Sequence, residues 1–244
     1  MDVAGYQITR SPSLAHDIAS GKYRWLQEMK IATVLDIGAN QGQFAEMIRQ
    51  VLPHAMIYSF EPLESCFKEL TAKARSLMPI QCFSFALGEK ETQMMIHHND
   101  FSASSSLLPM GRRHREAFPF TQHAVEERVT VRSLDCVVPE LELKPKILVK
   151  LDVQGYELNV LAGAEKTLPL IDVLIVETSF VELYEGQPLF KDVHNFLTER
   201  GFAHFGNLDQ ISDPSNGFVL QADSIFVNTK TEEGREVPTE IKCN

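Results

Sequence analysis

Short runs of apolar, β-branched residues alternate along this chain with stretches whose apolar positions recur every three or four residues. This is the pattern of strands and helices laid down in βαβ order on a largely parallel sheet. Residues 32–36 give the clearest strand. Behind it, Phe44, Met47, Ile48 and Val51 form one stripe of a predicted helix over residues 43–51, which Pro53 ends. A second strand is expected at residues 55–60, a helix at 63–77 and a third strand at 80–85, closed by Gly88. After an interruption the rhythm resumes with a strand at 146–153, a helix at 156–168, a strand at 172–177 and a helix at 191–200. Residues 202–205 and 224–228 flank a Pro/Asn/Gly turn region and predict an antiparallel edge.

The interruption spans residues 89–131. Residues 94–97 and 128–131 read as strands of an inserted hairpin, with Ser104, Ser105, Ser106 and the basic run Arg112, Arg113, His114, Arg115 between them. A long irregular insertion in a compact α/β domain is expected to serve as a lid or binding loop. Residues 1–30 hold one amphipathic helix at best (Leu14, Ile18, Trp25, Leu26), a helical cap on a domain over 31–229; the charged tail 230–244 is expected to fray.

Composition narrows the class. With 44% hydrophobic and 23% charged residues in 244, the chain is expected to fold as one soluble domain. No run of 18 apolar residues predicts a membrane span, and the first ten residues show no secretory leader. Cys66, Cys82, Cys136 and Cys243 are scattered without CxxC spacing, which predicts reduced thiols, a cytoplasmic location and no metal site. A net charge of −10 disfavours nucleic acid as a partner.

In an open parallel sheet, ligands bind beyond the carboxyl ends of the strands. Asp36, Glu61, Ala86, Asp152 and Glu177 end the predicted strands. Gly38 and Gly42 let backbone approach a ligand ahead of a helix N-terminus, and Glu61, 19 residues after Gly42, suits a pair of ribose hydroxyls. The middle glycine of a dinucleotide fingerprint is missing, and Asp36 would sit badly beside a pyrophosphate. An acidic loop instead suits a cofactor with an amino-bearing tail, S-adenosyl-L-methionine, with Asp36 toward its amino-acid end.

Residues 36–44 (DIGANQGQF), 60–62 (FEP), 86–88 (ALG), 133–135 (SLD), 150–157 (KLDVQGYE) and 161–164 (LAGA) resemble, in that order, the FkbM-type family of class I methyltransferases. The resemblance covers roughly residues 31–228. It implies an α/β, Rossmann-like class I methyltransferase fold with a seven-stranded, mostly parallel sheet and helices on both faces. It also implies methyl transfer from S-adenosylmethionine to a hydroxyl oxygen of a sugar or other small natural product. Carried over by position, Asp36, Gly38, Ala39, Asn40 and Gly42 match the cofactor loop, and Glu61, followed by Pro62, the ribose carboxylate. Ala86, between Phe85 and Leu87, falls where the adenine edge is expected. The family more often has a glutamate where this chain has Gln154, and a glutamine is no general base.

On the acceptor side, Lys150 and Asp152 lie two apart on one strand and so share a face. Asp152 is expected to orient or deprotonate a hydroxyl and Lys150 to stabilise negative charge, with a buried ion pair as the competing reading. Glu157 is either a third catalytic group or a complement to its helix dipole, and Glu177 is either a site residue or a structural one. His97 and His98, adjacent on a strand, face opposite ways and so predict no joint metal site. The basic run is a solvated loop or a grip for an anionic acceptor. Three other functions are compatible with the sequence: an NAD-dependent oxidoreductase, a non-catalytic methyltransferase-like binding module, and a metal-assisted O-methyltransferase.

Overall fold

The computed structural model describes residues 2–3, 6–7, 21–99, 102–118, 121 and 124–230. Its main sheet has seven strands. They come from β1 (Thr33–Ile37), β2 (Met56–Phe60), β3 (Ile80–Phe83), then, after the insertion, β7 (Ile147–Leu151), β8 (Val173–Ser179), β9 (Phe202–Ser212) and β10 (Val219–Asn228). The spatial order is β9-β10-β8-β7-β1-β2-β3, and β10 alone runs opposite to the other six. The order reverses direction between β1 and β7, where a doubly wound sheet opens its ligand crevice.

The central strands β1, β7 and β8 are buried at every position, as expected of parallel strands covered on both faces. Leu35, Ile37, Val149, Leu151, Leu174 and Val176 point into the larger core beneath α6 (Glu157–Ala162) and α7 (Phe190–Glu199). Val34, Leu148, Val173 and Ile175 point the other way, against α1 (Arg24–Glu28) and α2 (Gln43–Val51). The third helix, α3 (Glu64–Ala74), follows β2 and buries Cys66 and Leu70.

The first helix stripe lies where expected, with Met47, Ile48 and Val51 buried and Phe44 partly so. At its end Arg49 donates to the carbonyls of Leu52, Pro53, Ala55, Leu77 and Pro79 at 2.7–3.1 Å, fixing the chain between α2 and β3. The expected helix over 156–168 is shorter: α6 stops at Ala162, and a 3₁₀ turn occupies Leu168–Leu170. Asp135 explains this exit, because its carboxylate accepts from the Lys166 and Thr167 N–H groups and the Thr167 hydroxyl at 2.7–3.1 Å. The expected edge pair is also longer, with β9 and β10 running 11 and 10 residues.

The insertion forms its own three-stranded sheet, β4 (Ala86–Leu87), β6 (Ala124–Arg132) and β5 (Thr92–Asn99), in that spatial order. Between β5 and β6 lie a 3₁₀ turn at Ser102–Ser104 and a short helix, α4 (Arg112–Ala117), that the sequence pattern did not predict. This segment is pinned to the β8–α7 connection: Gly111 N–H donates to the Leu183 carbonyl at 2.7 Å and Glu185 N–H to the Pro109 carbonyl at 2.8 Å. A last short helix, α5 (Leu134–Val137), capped by Ser133, leads out of the insertion.

Of the N-terminal cap, Leu26 on α1 is fully buried, while Leu14 and Ile18 lie outside the described residues, as does the tail beyond residue 230. Cys66 and Cys82 are free thiols, and Cys243 lies outside the described residues. Among the described residues no helix is long and apolar enough to cross a membrane.

Candidate active site

Strand alternation builds the site. Two residues beyond Val34, Leu148 and Ile175 on the α1/α2 face come Asp36, Lys150 and Glu177. Asp36 pairs in register with Lys150 across β1 and β7, and Glu177 with Asp223 across β8 and β10. One face of the sheet thus ends in an ammonium surrounded by carboxylates. Lys150 Nζ donates to Asp223 Oδ1 at 2.9 Å and to Asp152 Oδ2 at 3.3 Å. Burial works against its charge, but Asp152, Asp223 and Glu177 outweigh it and hold the ammonium above the ordinary lysine range.

Above this row opens a cavity of about 310 Å³, within the size range of small-molecule sites. Of the residues singled out from the sequence, Gly38, Ala39, Asn40, Glu61, Pro62, Ala86, Leu87, Lys150 and Asp152 line it. Gly38 is there because nothing larger fits. Its φ is +81°, and a Cβ would stand 1.8 Å from the Asp152 carbonyl oxygen, so the β1 and β7 ends touch backbone to backbone.

Glu61, buried at the end of β2, fastens the loops around it: Oε2 accepts from Asn40 N–H at 2.9 Å and Oε1 from Leu63 N–H at 2.8 Å. Burial pushes its carboxyl up to about 7 against those two bonds. Each oxygen keeps a lone pair, so a diol can bind without displacing either N–H.

Three predicted residues take other places. Asp36 is 1% exposed and does not line the cavity; it lies beneath it and accepts from the Ser59 hydroxyl at 3.1 Å. Gly42 is the left-handed N-cap of α2, packed on Leu70. Glu157 turns back into its own loop, where Oε1 accepts from the Val153 and Gly155 N–H groups at 3.1 Å each.

Burial raises the Asp36 carboxyl from 3.8 to about 7, opposed by the Ser59 bond and Lys150 and assisted by Asp152. The folded state therefore favours protonated Asp36, a contribution intact below pH 4 and lost as pH climbs through 7. Asp36→Asn keeps an acceptor for Ser59 and removes the titration. Unfolding of the cofactor-free protein at a series of pH values should show the two proteins converging below pH 4 and the advantage of the variant growing by about 1–3 kcal/mol between pH 5 and pH 8. Equal stability at pH 8 would contradict this.

The wall also holds residues that the strand-end pattern missed. Tyr23 comes from the segment before α1, Gln43, Phe44 and Met47 from α2, and Asp209 and Asp223 from β9 and β10. Ser102, Ala103, Ser105, Ser106 and Leu107 cover it from the insertion, with Ser102 donating to Asn40 Oδ1 at 3.0 Å. The basic run does not reach this cavity: Arg113 faces a separate hollow beside the β9–β10 turn, and His114 is buried against Phe118 and Tyr184. His97 and His98 lie on β5 beside Glu126 and Glu127 of β6.

The residues present fit S-adenosylmethionine. Glu61 offers two acceptors to a ribose, Phe60, Leu63, Ala86 and Leu87 give an apolar slot, Gly38 permits close backbone approach, and the acidic row suits positive charge.

A family model described as the methyltransferase FkbM domain matches residues 36–203. Among curated proteins, the 2-O-methyltransferase NoeI of Sinorhizobium fredii is 29% identical over 168 residues, covering 66% of this chain and 69% of NoeI. Methyltransferase sdnD of Sordaria araneosa is 26% identical over 193 residues, covering 69% of this chain and 73% of its own. Among solved structures, a methyltransferase FkbM from Methylobacillus flagellatus superposes with a TM-score of 0.52 at 14% identity. That match covers 81% of this chain and 43% of the longer one, and it shows a shared fold.

Proposed function

This chain belongs to the FkbM methyltransferase family, whose methyl donor is S-adenosylmethionine, and from that premise we propose that it methylates a hydroxyl oxygen of a small polyhydroxylated molecule such as a sugar. The observation that carries this is Asp152: its carboxylate is on the wall of the cavity that also holds Glu61, anchored by Lys150 at 3.3 Å and Gln154 at 2.8 Å. Similarity to a 2-O-methyltransferase supports oxygen as the methylated atom.

When bound, the cofactor supplies an activated methyl group on a sulfonium. The protein has to position the acceptor and take its proton. Asp152 accepts the hydroxyl proton as the oxygen acquires its methyl group, and Lys150 keeps that carboxylate ionised until then. Glu61 and the Gly38–Asn40 backbone hold the nucleoside end, while Ser102 and Ser105–Leu107 shield the reaction from water. Among the described residues, Glu61, Asp152, Asp209 and Asp223 outnumber Lys150 and the Lys22 that pairs with Asp209, which favours a neutral polyol over an anionic acceptor. A cytoplasmic location belongs to the same proposal, in keeping with the free thiols of Cys66 and Cys82.

The test is transfer of a labelled methyl group into a panel of hydroxyl-bearing metabolites, with product analysis. Asp152→Asn should lower turnover at least about 100-fold, the lower end of general-base contributions, while S-adenosylhomocysteine affinity by calorimetry stays within about threefold. Label recovered only on nitrogen or carbon would overturn the oxygen assignment, and full turnover by the variant would remove Asp152 from its role.

A further inference from the structure

The Gln154 side chain joins three groups at the site. It follows Asp152 by two residues and holds a left-handed backbone, φ +54°. Its Nε2 donates to Asp152 Oδ1 at 2.8 Å and to Glu177 Oε2 at 2.6 Å. Its Oε1 accepts from the buried Tyr184 hydroxyl at 2.8 Å, and its main-chain carbonyl accepts from Ser106 Oγ at 2.6 Å. Gln221 Nε2 also donates to Glu177 Oε2, at 3.1 Å.

An amide has fixed polarity: two protons on one end and only acceptor capacity on the other. The nitrogen faces Asp152 and Glu177, because the reverse orientation would set Oε1 against the Asp152 carboxylate that pairs with Lys150. A glutamate in this place cannot donate to both groups at once, and ionised it adds a negative charge beside Asp152.

We propose that Gln154 is the positioning residue for the proton-accepting carboxylate: its amide orients Asp152, keeps that group ionised beside Glu177, and ties this arrangement to the insertion through Tyr184 and Ser106. This rests on the reading of Asp152 as proton acceptor. Among the described residues, the ionisable groups that act on Asp152 include Lys150 on β7, Asp36 on β1, Glu177 on β8, Tyr184 beyond β8 and Glu157 at the start of α6. Gln154 differs from them in being a donor to Asp152 that does not titrate, which favours the ionised carboxylate at every pH.

Two variants separate the donor from the charge. Gln154→Met keeps the length and removes both N–H donors; Gln154→Glu also adds a carboxylate. Single-turnover methyl transfer is followed from pH 5 to 9 at saturating S-adenosylmethionine. In both variants the acid limb of the rate profile should move to higher pH, by at least about half a unit for methionine and further for glutamate. The plateau rate should fall about tenfold or more, with cofactor KM within about threefold. An acid limb unmoved in Gln154→Met overturns the proposal even if its rate falls, since loss of packing alone does not shift a titration. Asp152→Asn is run alongside. An active Asp152→Asn removes the underlying assignment, whereas an inactive one beside an unmoved Gln154→Met limb refutes the role of Gln154 alone.

Discussion

Gly38→Ala is expected to cost more than about 4 kcal/mol of folding stability, enough to unfold most domains of this size. Two independent penalties add. The backbone at +81° charges a non-glycine residue about 1–2 kcal/mol, and the new methyl group stands 1.8 Å from a main-chain oxygen that no side-chain rotation can move. Relief requires separating β1 from β7, the pair on which the sheet reverses. Gly186→Ala is the control, because its φ of +74° carries the same conformational penalty with nothing within 4 Å of the added carbon. Denaturant midpoints and soluble yield should place Gly38→Ala far below Gly186→Ala. Similar losses in the two would show that the close approach of strand ends is not what makes Gly38 necessary.

The second large effect is expected from Lys150→Met, at about 3–5 kcal/mol near pH 8. The lysine is almost wholly buried and lies among Asp36, Asp152, Glu177 and Asp223. Methionine fills the aliphatic volume and leaves those carboxylates without their counter-ion. Their only recourse is to bind protons, so their titrations move further up and the variant weakens steadily as pH rises. In the parent protein the raised lysine titration means that its contribution is complete below pH 10 and persists across the neutral range. The deficit of the variant should therefore shrink toward pH 5, where the acids are increasingly protonated. A deficit independent of pH, measured by urea unfolding at pH 5, 6.5 and 8, would mean that lost packing and not lost charge is responsible.

These two positions also show what the sequence makes legible. Gly38, Glu61, Lys150 and Asp152 were identifiable because strand ends are readable from local hydrophobic pattern, and parallel strands align their carboxyl ends by construction. The order of motifs placed the family, and with it the seven-stranded sheet. Asp209 and Asp223 were not readable: they belong to an antiparallel pair whose length depends on pairing across residues 202–228 and has no local sign. α4 was hidden for the opposite reason. Its six residues RRHREA show no apolar stripe, and pinning of the preceding turn to Leu183 holds it in place. Asp36 was recognised as an important residue type but not placed beneath the cavity, because sequence gives the strand face and not the depth, and Glu157 was left between two roles that only its contacts to Val153 and Gly155 distinguish. Gln154 registered only as a missing base, since its value lies in what it donates to and those partners are distant in the chain.

The stretch shared with the family, residues 36–203, contains Gly38, Glu61 and Asp152 but not Tyr23, Asp209 or Asp223. The cavity is thus walled from two sources. One is the common segment, which builds the end lined by Gly38 and Glu61; the other is a pair of flanks, one before β1 and one after α7. Such a division lets the donor half be inherited intact while the flanks are exchanged or lengthened to suit a new acceptor. Chimaeras that swap residues 204–228 between relatives would then retain their cofactor and trade their substrates.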